Sequence, residues 1–252
     1  MKKPGKALTV VGIFIGIVVI FLVGWVTSNY SHTYKKIEIP NGSLADSKYK
    51  CTRTERYDNP PEFDRALSLI NQRGTEYIRK NNITANLTNL TPCVVVKYTD
   101  VKNTIGAEGY FIFGDKEANA NYLPVYVDNS YKETDDLITA LLLKHEITHA
   151  YQFIRALNGE NDLSCMDKEA EAFLSQSLFI SQLNDEELRS LIYRIDNEPN
   201  LHPQLQLVSS FNQVSDYATN QCGSDKNCFL DVYIKKIRDM VYANPFYQKQ
   251  CS

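Results

Sequence analysis

Hydrophobic and polar positions divide the chain into three stretches. From Ala7 to Val26 there is no charged residue and most side chains are apolar. At 1.5 Å per residue this run covers roughly 30 Å, the thickness of a bilayer core, and predicts a transmembrane helix over 7–27. Residues 28–60 are polar and contain Gly42, Pro40, Pro60 and several Ser, Thr and Asn, which reads as a stalk. From 61 to 252 helical and strand-like periodicities follow one another, so this stretch is predicted to fold as one domain.

Within it, Phe63, Ala66, Leu67, Leu69, Ile70, Tyr77 and Ile78 fit one amphipathic helix over 61–81, weakened in its middle by Gly74. Three strand-like runs come next, starting at Cys93, Gly109 and Tyr122. Pro124 lacks an N–H, so the third run, 122–127, is predicted to be an edge strand. From Asp135 the pattern turns helical, with Thr134 or Asp135 as cap and an apolar run from Leu137 to Leu143. Further helices are predicted over 168–183, 185–196 and 227–241, with Asn184 and Glu187 as a capping-box variant. The expected fold class is α+β: a small mixed sheet with an edge strand over one helix, then a mostly helical C-terminal half.

Charge sets the orientation. Lys2, Lys3 and Lys6 sit close to the apolar run, whereas Lys35 and Lys36 lie further from its other end. This bias puts residues 1–6 in the cytoplasm and the main domain outside it, in an extracellular, periplasmic or lumenal space. A cleaved signal peptide would have an apolar core of about 7–15 residues and a small-x-small cleavage site; this run is longer and Val23-Gly24-Trp25 fits poorly. The net charge of −3, without a basic stripe, argues against nucleic acid as a partner. Six cysteines, all beyond the apolar run, suggest disulfides in an oxidising compartment, with Cys222–Cys228 the expected pair. Asn-x-Ser/Thr sequons begin at Asn29, Asn41, Asn82, Asn86 and Asn89, which an Asn- and Thr-rich chain supplies by chance.

The densest chemistry is His145-Glu146-Ile147-Thr148-His149. Residues four apart share a helix face, so His145 and His149 can present two imidazoles to one ion, with Glu146 beside them to reach a bound water. With four histidines in the chain, composition seldom produces this spacing. Lys168-Glu169-Ala170-Glu171-Ala172 supplies a third donor downstream. Glu169 and Glu171 lie about 200° apart around a helix, so only one of them can face the ion.

His-Glu-x-x-His on a helix preceded by a strand resembles the zincin metallopeptidases. Gln152 and Arg155 stand where the metzincin extension needs Gly and His, which excludes that branch. Glu169, twenty residues after His149, is similar to the third ligand of the gluzincins, and this resemblance favours it, with Glu171 the alternative. Phe173 occupies the position where membrane-associated gluzincins carry an Asp that orients a ligand histidine, so that support must come from elsewhere. The resemblance implies Zn²⁺ held by His145, His149 and Glu169, with Glu146 as general base toward a metal-activated water, and hydrolysis of a protein or peptide substrate. His202 or Tyr217 could stabilise the transition state. The competing reading is a membrane-anchored binding or assembly protein whose zinc site is structural, closed by Cys165 or Glu171.

Overall fold

The structure is a computed structural model that describes residues 51, 53–73, 76–78, 84–113, 115, 118, 121–157, 159, 163–197 and 203–252. The predicted tail, membrane segment and most of the stalk, as well as His202, lie outside these residues. Among the described residues no helix is long and apolar enough to cross a membrane.

Helix α1 (Pro61–Gln72) begins with proline at its first position and buries Phe63, Ala66, Leu67 and Ile70. It is shorter than the expected 61–81. Arg73 closes it with an N–H bond to Leu69 O, and Glu76–Ile78 becomes strand β1, antiparallel to β2 (Thr84–Asn86). The non-local pairing with β2 overrides the apolar spacing that Tyr77 and Ile78 share with the helix.

A mixed sheet follows: β3 (Val94–Thr99), β4 (Gly109–Phe111) and β5 (Leu123–Asp128), in the order β3-β5-β4. β5 is parallel to β3 and antiparallel to β4, so it is the central strand and not the expected edge. The physical reason is local. Asp128 N–H bonds Glu108 O on the β4 flank; donors alternate along a strand, so the donor Pro124 lacks also faces that flank. There β4 has already ended, its last paired residue being Phe111 opposite Val125. The missing hydrogen bond falls where no partner strand runs.

A short helix α2 (Val101–Ile105) bridges β3 and β4. The chain ahead of α1 is tied to the sheet, as Asn59 Nδ2 donates to Val94 O, Val96 N–H donates to Asn59 Oδ1, and Cys51 is bonded to Cys93. Helix α3 (Asp136–Leu157) carries the His-Glu-x-x-His run. Asp135 Oδ1 caps it by accepting from Leu137 and Ile138 N–H, as the sequence predicts. From Ile138 to Leu157 nearly every side chain is buried, so α3 runs through the core against α1, α4 and β4.

Helices α4 (Cys165–Ile180), α5 (Asp185–Asn197), α6 (Pro203–Ser209), α7 (Phe211–Cys222), α8 (Lys226–Ala243) and α9 (Pro245–Gln250) complete the chain. Asn184 Oδ1 accepts from Glu186 and Glu187 N–H while Glu187 Oε2 accepts from Asn184 N–H, the expected capping box. Three disulfides join Cys51–Cys93, Cys165–Cys251 and the predicted Cys222–Cys228. The coarse prediction holds: α+β, one small mixed sheet and a helical C-terminal half.

Candidate metal centre

His145 and His149 lie one turn apart on the face of α3 that α4 covers, and α4 brings Glu169 to them. Glu169 Oε2 is 3.2 Å from His145 Nε2, and Glu169 Oε1 is 3.6 Å from His149 Nε2. A tetrahedral ion with bonds of about 2.1 Å keeps its ligand atoms roughly 3.4 Å apart. One donor atom from each of the three residues lies within 4.8 Å of the others, and all three are buried. The cluster is therefore able to hold a metal ion. Glu171, the alternative, turns away: its Oε2 accepts from Arg155 Nη1 at 3.1 Å and Gln152 Nε2 at 3.2 Å.

Two glutamines that the sequence reading did not single out for the site orient the imidazoles. Gln176 Oε1 stands 3.2 Å from His145 Nδ1, and its Nε2 donates to Leu141 O at 2.9 Å. Gln152 Oε1 stands 2.9 Å from His149 Nδ1, and its Nε2 donates to Lys168 O at 2.9 Å. Because each amide nitrogen is committed to a backbone carbonyl, each amide oxygen faces a ring nitrogen and can only accept. The proton is thus held on Nδ1, and Nε2 points to the metal-donor cluster. The signals were in the sequence: Gln152 is one turn after His149, and Gln176 two turns after Glu169. Phe173 packs edge-on against His145 at 4.9 Å, so the expected support shifts one turn along α4.

Electrostatics bind the cluster together. Burial disfavours a charged His149, but Glu169 beside it, aided by Glu146 and Gln152, holds its pKa up at about 9. Burial likewise disfavours a charged Glu169, yet His149 and His145 keep its carboxylate well below the usual range. Glu146 is pushed upward by burial, opposed by both histidines and by a hydrogen bond from Phe111 N–H. Its Oε2 is buried and finds no hydrogen-bond partner among the described residues. A buried orphan acceptor beside two imidazoles and a carboxylate is what a bound cation and its water would satisfy.

Strand β4 sets the position of Glu146. A Cβ added at Gly109 would lie 3.1 Å from Tyr126 O and 3.3 Å from Glu146 Cγ, so a glycine lets the strand come this close without displacing Glu146 or the neighbouring strand. Tyr217, a candidate transition-state residue, is 45% exposed on α7 and carries the Lys236 ammonium over its ring. No family model, curated protein or solved structure matches the chain.

Proposed function

We propose that the chain is a zinc-dependent metallopeptidase of the zincin type, held outside a membrane by its N-terminal segment and acting on protein or peptide substrates. The observation that carries this reading is the convergence of three metal-donor atoms beside the buried, half-unpaired carboxylate of Glu146. Two neutral imidazoles and one carboxylate suit Zn²⁺, and His145, His149 and Glu169 would hold it. The ion, when bound, supplies a Lewis acid that lowers the pKa of water and polarises a carbonyl. Gln152 and Gln176 keep both imidazoles in the tautomer that ligation needs. Glu146 takes a proton from water and delivers it to the leaving amine; its raised pKa brings the base nearer to working pH. β4 pairs with β5 alone among the described strands and lies over α3, so its outer flank offers an extended peptide a strand to join next to Glu146.

The test is cleavage of an unbiased peptide library by the wild-type protein and by Glu146→Gln. About one equivalent of zinc is expected in both, with cleavage by the wild type only. Cleavage by Glu146→Gln rejects the mechanism, and zinc that survives replacement of both histidines rejects the site.

One observation favours a second reading, a structural zinc site in a membrane-anchored binding or assembly protein. His145, Glu146, His149 and Glu169 are all under a tenth exposed. Structural zinc sites are ordinarily closed by a fourth protein ligand. The two expected candidates are engaged elsewhere, Cys165 with Cys251 and Glu171 with Arg155 and Gln152.

A further inference from the structure

Along α4, Cys165, Glu169, Phe173 and Gln176 recur at intervals of four, four and three residues, so they share one face. That face carries in turn a disulfide sulfur, a metal donor, a ring against His145 and the amide that orients His145. The last helix, α9, lies along it. Tyr247 meets Phe173 at 5.3 Å with its ring edge-on, and Cys251, one turn later, is bonded to Cys165. The order of these attachments is reversed between the two helices, so α9 runs antiparallel to α4. Its two anchor points fall one turn to either side of Glu169.

Beside these anchors, Phe246 packs part-buried against the core and Gln248 Nε2 donates to Tyr242 O at 2.8 Å. Tyr247 is the single buried side chain of α9, at 1% exposure, while Gln248 and Lys249 face solvent. The Tyr247 hydroxyl has no hydrogen-bond partner among the described residues. Burial, reinforced by the charges of Glu169, Glu146 and Glu108, keeps that hydroxyl protonated, which places it within the field of the metal site. A buried hydroxyl without a partner works against the closed arrangement. The disulfide offsets this by holding the end of the chain at the head of α4, which lowers the entropy cost of the contact, and its Cys165 end is exposed to solvent.

We propose that α9 is a strap over the metal site and that Cys165–Cys251 is its latch, closed when oxidised and open when reduced. What the open site then does rests on the metallopeptidase reading; the strap itself does not. Opening consumes a dithiol. Its thiolate attacks Cys251 Sγ and breaks the Cys165–Cys251 bond; Cys165 leaves as a thiolate, favoured at the head of α4, and takes a proton. The second thiol of the reductant then closes its own disulfide and frees Cys251 as a thiol. The protein disulfide gains two electrons and the dithiol loses two.

The experiment compares the full chain with Cys165→Ser/Cys251→Ser, with Cys222→Ser/Cys228→Ser as control and Tyr247→Leu as a variant that keeps the latch but loses the ring. Chelator-treated proteins, shown folded by circular dichroism, are reacted with diethyl pyrocarbonate, and modification of His145 and His149 is followed by mass spectrometry. The strap predicts modification at least about tenfold faster without the Cys165–Cys251 bridge, a smaller acceleration in Tyr247→Leu, and none in the control. Equal rates in wild type and Tyr247→Leu, together with equal rates or global unfolding in the latch variant, overturn it. Zinc content measured on each purified protein before chelator treatment separates the two ideas: absence of zinc from every form refutes the metallopeptidase reading, and the histidine rates still decide the strap.

Discussion

At the scale of single residues, the site depends on neutral groups that carry no obvious signal of metal chemistry. Gln152 and Gln176 each spend their amide nitrogen on a backbone carbonyl so that the oxygen can hold a ligand histidine. Gln176→Leu and Gln152→Leu are expected to weaken zinc binding by about 10–100-fold each while leaving the fold intact, as measured by competition with a chromophoric chelator. Gly109 acts at a distance of one side chain. Gly109→Ala forces its new methyl between Tyr126 O and Glu146 Cγ, and Glu146, the proposed general base, has to give by a few tenths of an ångström. Peptide cleavage is expected to fall about tenfold to a hundredfold with zinc affinity little changed, so kcat/KM and a zinc titration together check it. Of these positions the sequence offered only spacing, one turn from His149 for Gln152 and two turns from Glu169 for Gln176.

At the scale of elements, the candidate metal site is a joint between α3 and α4, and its protons report on that joint. His149 is held up at about 9 against an ordinary 6.5, so in chelator-stripped protein the His149–Glu169 pair contributes stability that is full below pH 6.5 and lost as pH rises through 9. Lys144 works in the opposite sense. Burial lowers its ammonium from 10.5 to about 7, so its contribution to stability grows from pH 7 towards 10.5. A metal ion displaces only the first of these protons. Zinc binding is therefore expected to release about one proton from His149 at pH 7 and to strengthen with pH until about 9, then level off. Calorimetry in buffers of different ionisation enthalpy measures the release, and a pH-independent affinity between 6.5 and 9 contradicts the geometry. The same scale shows where pattern reading succeeds. The caps of α3 and α5 were legible because Asp135 and the Asn184–Glu187 box act on N–H groups within three residues. The central place of β5 was not, since it depends on where β4 stops.

At the scale of the whole molecule, one disulfide ties the chain ahead of α1 to the sheet and two lie in the helical half. Cys51–Cys93 spans 42 residues and ties the chain ahead of α1 to the start of β3. Replacing both cysteines by serine is expected to cost about 3–4 kcal/mol by loop-closure entropy. Denaturant unfolding checks this, and a loss under about 1 kcal/mol shows that the stretch ahead of α1 docks without it. Cys165–Cys251 joins the head of the ligand helix to the end of the chain, and Cys222–Cys228 staples α7 to α8. Cysteine number alone suggested that disulfides exist; it paired only the two that a six-residue separation brings together.

The sequence by itself determined the helix that carries both histidines, their place on one face, a cap at Thr134 or Asp135 and the limit that only one of the two glutamates can join them. All of these follow from helical geometry within a few turns. It determined the α+β class as well, because periods of two and of 3.6 survive in each element separately. The tertiary structure decided which strand is central, which glutamines hold the imidazoles, which cysteines pair across the fold and that α9 meets α4 at Phe173 and Cys165. Those features join residues from different elements, up to 86 positions apart for Cys165 and Cys251. No local pattern encodes them, because they arise only when apolar faces from distant parts of the chain pack together and bring polar side chains within reach of one another.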